Sequence, residues 1–399
     1  MLNSNKWLED LYLEYERRFL KPPLFLSDWD SDQHELKFPT KIINDALQNT
    51  KTDFYKYSYI DSDTNEKQLI VDYMNKRANI KLSYKNISVN LNSTNSLYLA
   101  LLALNNIDVK RIIVITPTYY SVLETLKQLD SHIIYYHLID KDSFNINIKE
   151  LTNLVENQFI NAILMTDPVY SAGIEISSNI YTSIVELCNK HSVWFICDYT
   201  LGGMFWGNKD MFTKKLEIIS QAEKYIYIES VTKKLIINGI KHSILIGTEK
   251  IISIIENLFF RISGGFCSTQ IKLYEEIYKN KNEKYLNKII SKNIESIRNN
   301  YSLLKTAIQD SDFSLYNSHS GYFTIIYHKE LTLEEIDIKS IVNDLLFKKN
   351  IYIYPTNILS YYHQNQFGFR INLSKKISDY IPLILECINK DFNAFYKRR

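Results

Sequence analysis

Three lysines stand close together in the segment IESVTKKLIINGIK, residues 228–241. Lys233 and Lys234 follow an apolar run with the pattern of a buried strand, and Lys241 comes two residues after a lone glycine. A lysine amine beyond the end of a sheet strand can serve as a nucleophile or as a base. The alternative for each lysine is an ordinary place on a solvated surface. For Lys234 the pattern favours that solvated place or a structural role.

A lone carboxylate, Asp198, ends the apolar run VWFICD. Taking a carboxylate out of water is costly unless a partner compensates it. An acid at the tip of a buried strand is therefore a better functional candidate than an acid on a helix face.

Polar residues follow two other predicted strands. In NLNSTNS, Ser93, Thr94 and Asn95 open a predicted helix, and the free backbone N–H groups of a helix start can bind an anion. A plain helix cap is the alternative, and these residues taken alone favour it. In TPTYY, Tyr119 and Tyr120 end the next strand, where packing on the following helix is the alternative, above all for Tyr120.

The elements that must position these residues alternate along the chain from about residue 85. Short β-branched runs such as RIIVIT and NAILMT are separated by helical stretches such as NSLYLALLAL and SNIYTSIVELCNKH. This alternation predicts an α/β fold with a mostly parallel central sheet and helices on its faces. The polar residues would then meet at the carboxyl ends of the strands, where such sheets bind their ligands.

After about residue 285 the pattern changes. A long charged helix, predicted over residues 288–309, leads into short strands and two further helices, which is typical of a smaller α+β domain. We therefore predict an N-terminal arm at 1–40 that belongs with the small domain, a large domain at 41–285 and a small C-terminal domain at 286–399.

Composition and spacing argue against several other classes of protein. The 399 residues include 47 Lys and Arg against 45 Asp and Glu, with no basic block, so no nucleic-acid partner is expected. The four cysteines form no CxxC pair and the histidines show no metal-ligand spacing, so no metal site is expected. No serine lies in the G-x-S-x-G elbow of a hydrolase. Without a membrane-length apolar run or a signal-peptide pattern, we expect a soluble, cytoplasmic protein with no membrane partner.

Taken together, the set resembles the aminotransferase class I/II family, the fold-type I enzymes that use pyridoxal 5′-phosphate (PLP). The resemblance rests on S-V-T-K at residues 230–233 and G-I-K at residues 239–241, which keep the spacing of the family's lysine motif. It extends from about Tyr59 to Arg370 and implies a large PLP-binding domain, a small domain and an α-amino acid substrate. It also implies a homodimer with shared sites, because Tyr59 resembles the tyrosine that reaches a neighbouring subunit's phosphate.

The resemblance implies a role for each matching residue. Lys233 would form the Schiff base with PLP and then move the substrate α-proton. Asp198 would keep the pyridine nitrogen protonated, and Tyr119 would stack on the ring. Arg370 would bind the substrate α-carboxylate, a task that suits a planar, bidentate donor. The phosphate would be held by Ser93, Thr94, Ser230 and Lys241.

Three positions depart from the family pattern. Tyr170, in DPVYSAG, stands where an asparagine normally donates to the PLP phenolic oxygen, and Gly173 keeps the turn. Leu201 replaces a tyrosine that is the second donor, and Lys241 replaces an arginine. Our hypothesis is that Tyr170 restores one hydrogen bond to the cofactor, since a phenol can donate. Such changes are typical of an altered reaction rather than of a lost cofactor.

The opening of the chain, WLEDLYLEYERRF followed by LFLSDWDSDQHEL, is similar to that of capreomycidine synthase, a PLP enzyme that cyclises a hydroxylated arginine. This similarity favours amino-acid tailoring in a biosynthetic pathway. Asp28 and Asp30 could meet a cationic substrate side chain, and solvated turn acids are the alternative.

Transamination of an amino acid is the expected reaction. Elimination, replacement or cyclisation on the same fold is the first alternative, and a non-catalytic relative used as a binding partner is the second. The retained Lys233, Asp198 and Arg370 argue against the second alternative, because a scaffold would have no need of all three.

Overall fold

The computed structural model of the chain describes residues 6–31, 39–50, 57–60, 65–138, 144–206, 210–358 and 365–388. The strands are β1 (Leu24–Phe25), β2 (Ile87–Asn90), β3 (Arg111–Thr116), β4 (His132–His137), β5 (Ala162–Thr166), β6 (Trp194–Asp198), β7 (Tyr225–Glu229), β8 (Ser243–Gly247), β9 (Phe313–Leu315), β10 (Phe323–Thr332), β11 (Ile351–Tyr352) and β12 (Gln366–Asn372). The α-helices are α1 (Lys6–Phe19), α2 (Thr40–Asn49), α3 (Asn65–Ala78), α4 (Ser93–Asn106), α5 (Tyr120–Gln128), α6 (Ile148–Asn157), α7 (Ser178–His191), α8 (Asp210–Ile219), α9 (Val231–Lys234), α10 (Glu249–Ser263), α11 (Ser268–Tyr278), α12 (Asn280–Ala307), α13 (Ile338–Lys349) and α14 (Ile377–Ile388).

The largest sheet formed by these residues has seven strands in the order β2-β8-β7-β6-β5-β3-β4. The strands from β4 across to β7 pair in parallel. Strand β8 runs antiparallel to both of its neighbours, β7 and β2. The prediction of an α/β fold with a mostly parallel central sheet is therefore confirmed.

Alternate residues of the central strands face two different cores, because successive side chains of a strand point to opposite sides of a sheet. On β5, Ile163 packs into one core and Leu164 into the other, and both side chains are fully buried. Phe195 and Ile196 divide between the same two cores on β6. Burial on both faces explains why these strands read as unbroken apolar runs.

The sequence patterns do not predict strand β8. Residues 230–242, which connect β7 to β8, contain only the one-turn helix α9. A parallel crossover usually requires a longer helix that packs on the sheet, so the chain returns antiparallel instead. Lys233, which the apolar run before it places beyond the end of a strand, lies within α9.

The C-terminal part of the chain forms its own small sheet, in the order β12-β10-β9 and antiparallel throughout. Strand β1, near the amino terminus, pairs in parallel with β11. Leu8 and Tyr15 of α1 are buried in the core of this C-terminal part. The amino-terminal residues therefore pack with the end of the chain.

Helix α12 contributes to both parts of the molecule and begins at Asn280, earlier than the predicted start at residue 288. Its residues Leu286 and Ile289 pack into a core of the large sheet. Further along, Ile297 and Leu304 pack into the core of the C-terminal part. The predicted domain boundary at residue 285 lies inside this helix, and the boundaries themselves stay predictions.

Hydrogen bonds join the amino-terminal segment 24–31 to strand β12. The Ser27 hydroxyl donates to the Arg370 carbonyl at 2.5 Å. The Asn372 amide donates to the carbonyls of Asp28 at 3.0 Å and Asp30 at 2.8 Å. These bonds fix the position of Trp29, which lies between the two aspartates in the chain.

Among the helices of the described ranges, none has both the length and the apolarity needed to cross a bilayer. Within the same ranges, no three His, Cys, Asp or Glu side chains are grouped so that they could bind a metal ion.

Candidate active site

A cavity of about 620 Å³ opens at the carboxyl ends of the central strands. Its walls include most of the residues that the sequence singled out; these are Ser93, Thr94, Tyr119, Tyr170, Asp198, Ser230, Lys233 and Lys241. Strand register explains the convergence, since Thr166, Asp198 and Ile228 are direct partners across β5, β6 and β7. Asn95, Tyr59 and Arg370 are not among the lining residues.

The Lys233 amine points from α9 into an aromatic and polar setting. Its Nζ donates to Asn238 Oδ1 at 2.9 Å and lies 4.5 Å from the centre of the Trp29 ring. Burial, and to a smaller extent the nearby Lys241, lower the pKa of Lys233 to about 8, and Asp30 partly opposes both effects. Roughly a tenth of this amine is therefore neutral at pH 7, far more than for an ordinary lysine, and the neutral form is the one that attacks a carbonyl.

Asp198 ends strand β6 with its carboxylate buried in the cavity wall. Its Oδ1 accepts the Thr200 hydroxyl at 2.5 Å and the Thr200 N–H at 3.1 Å. Burial raises the pKa of Asp198, and the two bonds from Thr200 offset only part of that rise. Oδ2 has no hydrogen-bond donor among the residues described, so a protonated ring nitrogen could donate to it.

The amino terminus of α4 forms another wall, with Ser93 and Thr94 at its first two positions. The cap residue is Asn92, whose Oδ1 accepts the Asn95 N–H at 2.9 Å. Asn95 itself turns away, and its amide lies 3.4 Å from the Ser263 hydroxyl of α10. The prediction that Ser93, Thr94 or Asn95 caps the helix is therefore wrong, because the preceding asparagine does so. The structure does not bring Asn95 to the cavity.

Ser230 and Lys241 lie on the same side of the cavity as α9. The Ser230 hydroxyl donates to the His242 carbonyl at 2.6 Å and lies 2.8 Å from the Thr232 hydroxyl. The Lys241 side chain is exposed at the cavity. Across the described parts of the chain, no carboxylate forms an ion pair with it. Its ammonium can therefore attract an anion, as can the free N–H groups of α4.

Arg370 lies behind the cavity wall and is only 1% exposed. One guanidinium nitrogen donates to the Tyr170 hydroxyl at 3.2 Å and to the Ser171 hydroxyl at 3.3 Å. Its Nε donates to the Ser27 carbonyl at 3.1 Å, and the Phe323 ring centre lies 4.5 Å away. All these contacts are neutral, and the described residues offer this buried cation no carboxylate. Such a cation is suited to an incoming carboxylate.

Tyr119 and Tyr170 form an aromatic wall, with ring centres 5.8 Å apart. Burial first, and then the Tyr120 hydroxyl at 3.3 Å, raise the pKa of Tyr119 to about 12. Tyr120 is 56% exposed at the start of α5. The alternative prediction for this residue, packing on the following helix, is therefore wrong. Tyr59 lies away from the cavity, beside Phe260 of α10 at 5.4 Å between ring centres.

A family model described as aminotransferase class I and II matches residues 27–381, a span that holds every residue of the cavity wall. The chain belongs to this family. Members of the aminotransferase class I and II family are PLP-dependent enzymes, and this chain is a PLP-dependent enzyme of the same fold. The predicted family, fold type and cofactor are thereby confirmed.

One curated relative of this chain is named as a decarboxylase and not as an aminotransferase. It is the L-serine phosphate decarboxylase of Campylobacter jejuni, 27% identical over 167 residues. Those residues are 41% of this chain and 42% of the decarboxylase, so the match spans less than half of either protein.

Solved aminotransferase structures are similar to this chain over nearly its whole length. A mutant aspartate aminotransferase of Thermus thermophilus has a TM-score of 0.81 at 11% identity, over 96% of this chain and 95% of that one. The aspartate aminotransferase of Rhizobium meliloti also has a TM-score of 0.81, at 14% identity, over 98% and 96%. The N-succinyldiaminopimelate aminotransferase of Mycobacterium tuberculosis has a TM-score of 0.78 at 15% identity, over 96% and 97%. At these identities the likeness shows the fold alone.

The side chains of the cavity fit the family's cofactor. A phosphate matches the start of α4 and the Lys241 ammonium, which has no ion pair with the described residues; both attract negative charge. A pyridine nitrogen matches Asp198, which has one carboxylate oxygen without a donor among the described residues. An aldehyde matches the largely buried amine of Lys233, whose pKa is lowered to about 8.

Sequence reasoning missed two residues that contact the Lys233 amine directly, Trp29 and Asn238. Asn238 accepts from Lys233 and its own amide donates to the Trp29 carbonyl, so the three residues form one unit. The only indication in the sequence was the string LSDWD, in which the aspartates, and not the tryptophan, were the candidates for substrate contact. Asp28 is in fact paired with Lys375 at 2.9 Å, whereas the exposed Asp30 does line the cavity.

Proposed function

We propose that this chain uses PLP on Lys233 to activate a bond at the α-carbon of an amino acid, with transamination as the outcome. The observation that carries the proposal is the meeting, in one cavity, of a largely buried amine and a buried carboxylate at the carboxyl ends of two neighbouring parallel strands. Lys233 follows β7 and Asp198 ends the neighbouring β6. When bound, PLP supplies an electron sink for electrons released at the α-carbon.

Each protein group then has a task that its surroundings support. Asp198 holds the proton of the ring nitrogen, and its buried position strengthens that hydrogen bond. Ser93, Thr94, Ser230 and Lys241 bind the phosphate. Arg370 binds the substrate carboxylate, exchanging part of its present neutral contacts for a charged one. Once displaced from the cofactor, the neutral Lys233 amine accepts the α-proton and returns it.

Decarboxylation is the second candidate, and the similarity to the serine phosphate decarboxylase supports it. Both reactions begin with the same bound amino acid and differ in which α-carbon bond is aligned with the ring. The products separate them. A transaminase yields a keto acid and consumes an amino acceptor, whereas a decarboxylase yields carbon dioxide and an amine without an acceptor. Elimination, replacement and cyclisation release other products and are read in the same assay.

The first experiment asks whether Lys233 carries the cofactor. Purified protein mixed with PLP should turn yellow, and borohydride reduction should leave the pyridoxyl group on the peptide that contains Lys233. Lys233→Ala should lose both the yellow colour and the labelled peptide. Lys110→Ala, which removes a half-exposed lysine distant in sequence from Lys233, should keep the colour and the label on Lys233. A parent protein that takes up no PLP would overturn the proposal and favour a non-catalytic binding role.

The second experiment identifies the reaction. The holoprotein is incubated with a panel of amino acids, with and without 2-oxoglutarate, and the products are identified by mass spectrometry. Keto acid that exceeds one equivalent of enzyme only when the acceptor is present supports transamination. Amine and carbon dioxide that form without the acceptor would replace it with decarboxylation.

A further inference from the structure

A buried cluster of charges adjoins the cavity, centred on Lys215 of α8. Its Nζ lies 2.5 Å from Asp167 Oδ2 and 2.6 Å from Glu175 Oε2. All three side chains are fully shielded from water. Burial alone would lower the pKa of Lys215, but the two carboxylates outweigh it and hold the pKa above its ordinary value. The lysine is therefore held as a cation between two carboxyl groups.

The two carboxylates stand near opposite ends of one loop, residues 167–176. Asp167 also accepts the Ile176 N–H at 2.9 Å and the Tyr181 hydroxyl at 2.6 Å. Lys215 thus joins the first residue of the loop to one of its last residues, and α7 supports the junction through Tyr181. The loop is closed by side chains as well as by its own backbone.

The far side of the same loop is held by the C-terminal part of the chain. The Ser320 hydroxyl donates to Glu175 Oε1 at 2.7 Å. The Ser318 hydroxyl donates to the Ala172 carbonyl at 2.5 Å, and the Ser320 N–H donates to the Gly173 carbonyl at 2.9 Å. The loop is consequently the place where the large sheet and the C-terminal part meet.

This loop carries Tyr170 and Ser171, the two hydroxyls that accept hydrogen bonds from Arg370. Lys215 pairs with Asp167 and Glu175 and not with Tyr170 or Ser171. It therefore acts on those two residues through the loop backbone. A shift of the loop would change where the Arg370 guanidinium points. That direction matters for a bidentate carboxylate contact.

We propose that Lys215 is a positioning residue that clamps the loop 167–176, and through Tyr170 and Ser171 sets the direction in which Arg370 meets a carboxylate. The proposal rests on the proposed function for the identity of that carboxylate. A purely structural lysine would support overall stability without a specific effect at this loop.

The test compares Lys215→Met with Lys67→Met in the full chain. Lys67 is an equally buried lysine with one ion pair, to Glu256. The probe is 2-methylalanine, which has the amine and the α-carboxylate of a substrate but no α-hydrogen. Its affinity for the holoprotein is read from visible absorbance, PLP affinity is measured separately, and hydrogen–deuterium exchange reports on residues 167–176.

Lys215→Met should weaken probe binding about tenfold or more, because misplacing a binding group by a fraction of an ångström has effects of this order. PLP affinity should change less than probe affinity, since the residues assigned to the phosphate, Asp198 and Lys233 lie on other elements and only Tyr170 of this loop is assigned to the cofactor. Exchange should accelerate within residues 167–176. Lys67→Met should leave probe affinity and loop exchange as in the parent.

Glu175→Gln provides a second variant that keeps the side-chain shape and removes one charge. It should show the same changes to a smaller degree, and it decides the matter if Lys215→Met does not fold. Unchanged loop exchange, or unchanged probe affinity with intact PLP binding, would overturn the clamp. Loss of PLP binding in the parent would instead overturn the proposed function, and loop exchange without cofactor would still decide whether Lys215 holds the loop.

Discussion

At the residue scale, three effects set the charge state of Lys233: its burial, the nearby cation Lys241 and the nearby anion Asp30. We expect modification of this amine by pyridoxal, trapped with borohydride, to increase with pH around a midpoint near 8. The sign follows from the chemistry, because only the neutral amine reacts and its fraction grows as pH rises through the pKa. Lys241→Met removes a cation that lowers the pKa, so the midpoint should rise. Asp30→Asn removes an anion that raises the pKa, so the midpoint should fall.

Each of these two shifts should amount to a few tenths of a pH unit, as expected for exposed charges that water screens. Pyridoxal is the proper reagent because it lacks the phosphate that Lys241 would also bind. The measurement is the yield of labelled Lys233 peptide by mass spectrometry at each pH. A midpoint near 10 in the parent protein would contradict the effect of burial.

Residue types at strand ends were predictable, but their partners were not. Asp198 and Lys233 can be identified from the sequence because a lone acid and an amine stand at the ends of apolar runs. The buried place of Lys234 was not predictable in the same way. It forms a buried pair with Glu229, and Asn293 of α12, from elsewhere in the chain, donates to the Lys234 carbonyl. The Lys234 side chain is 0% exposed, so the expectation of a solvated place is wrong and the structural role stands.

At the element scale, the turn at Gly173 is fixed by the C-terminal part of the chain. Its φ is +65°, and an added Cβ would lie 2.5 Å from the Phe323 carbonyl and 2.7 Å from that of Ser320. Gly173→Ala should therefore lower the free energy of unfolding by at least about 1–3 kcal/mol, the cost of the left-handed backbone alone. Gly239→Ala is the matched control, because an added Cβ there meets nothing within 4 Å. Urea unfolding without cofactor measures both, and equal stabilities would show that the loop can relax.

The order of strands and helices was largely readable, because buried β-branched runs alternate with helical periods. What the pattern lacks is direction. Strand β8 is five residues of SILIG, and nothing in those letters distinguishes an antiparallel strand from a parallel one. Direction depends on whether the connection can cross the sheet, and helix α9 spans only Val231–Lys234.

At the scale of the whole molecule, the site depends on contacts between distant parts of the chain. Arg370 and Tyr170 are 200 residues apart, and the bond between them forms only because α12 and the loop 167–176 hold the two parts together. Sequence patterns report local periodicity, so they place each residue on an element. They do not show which elements meet. This is why the sequence did not indicate Trp29, whose carbonyl accepts from Asn238, 209 residues later in the chain.

The exposed surface beside α4 leads to our last prediction, that two copies of this chain associate. An apolar patch, made of Tyr57, Tyr59, Phe260 and Ile262, is 39–85% exposed, and its three aromatic rings contact one another in sequence, Tyr57 with Tyr59 and Tyr59 with Phe260. Ser263, the next residue after Ile262, contacts Asn95 of the helix whose start we assign to the phosphate. Water-exposed rings of this kind are stabilised by burial against a second apolar surface.

Phe260→Glu should therefore shift the protein from twice the chain mass of 47.1 kDa toward the single-chain mass in analytical ultracentrifugation. A charge in an apolar interface is costly to desolvate, whereas Leu303→Glu, at a similarly exposed position on α12, should leave the dimer intact. Tyr59→Phe separates association from binding, because it keeps the ring and removes the hydroxyl. It should stay dimeric and bind PLP about tenfold more weakly, the usual effect of losing one hydrogen bond to a charged group. A parent protein that sediments as a single chain would exclude both the dimer and the shared site.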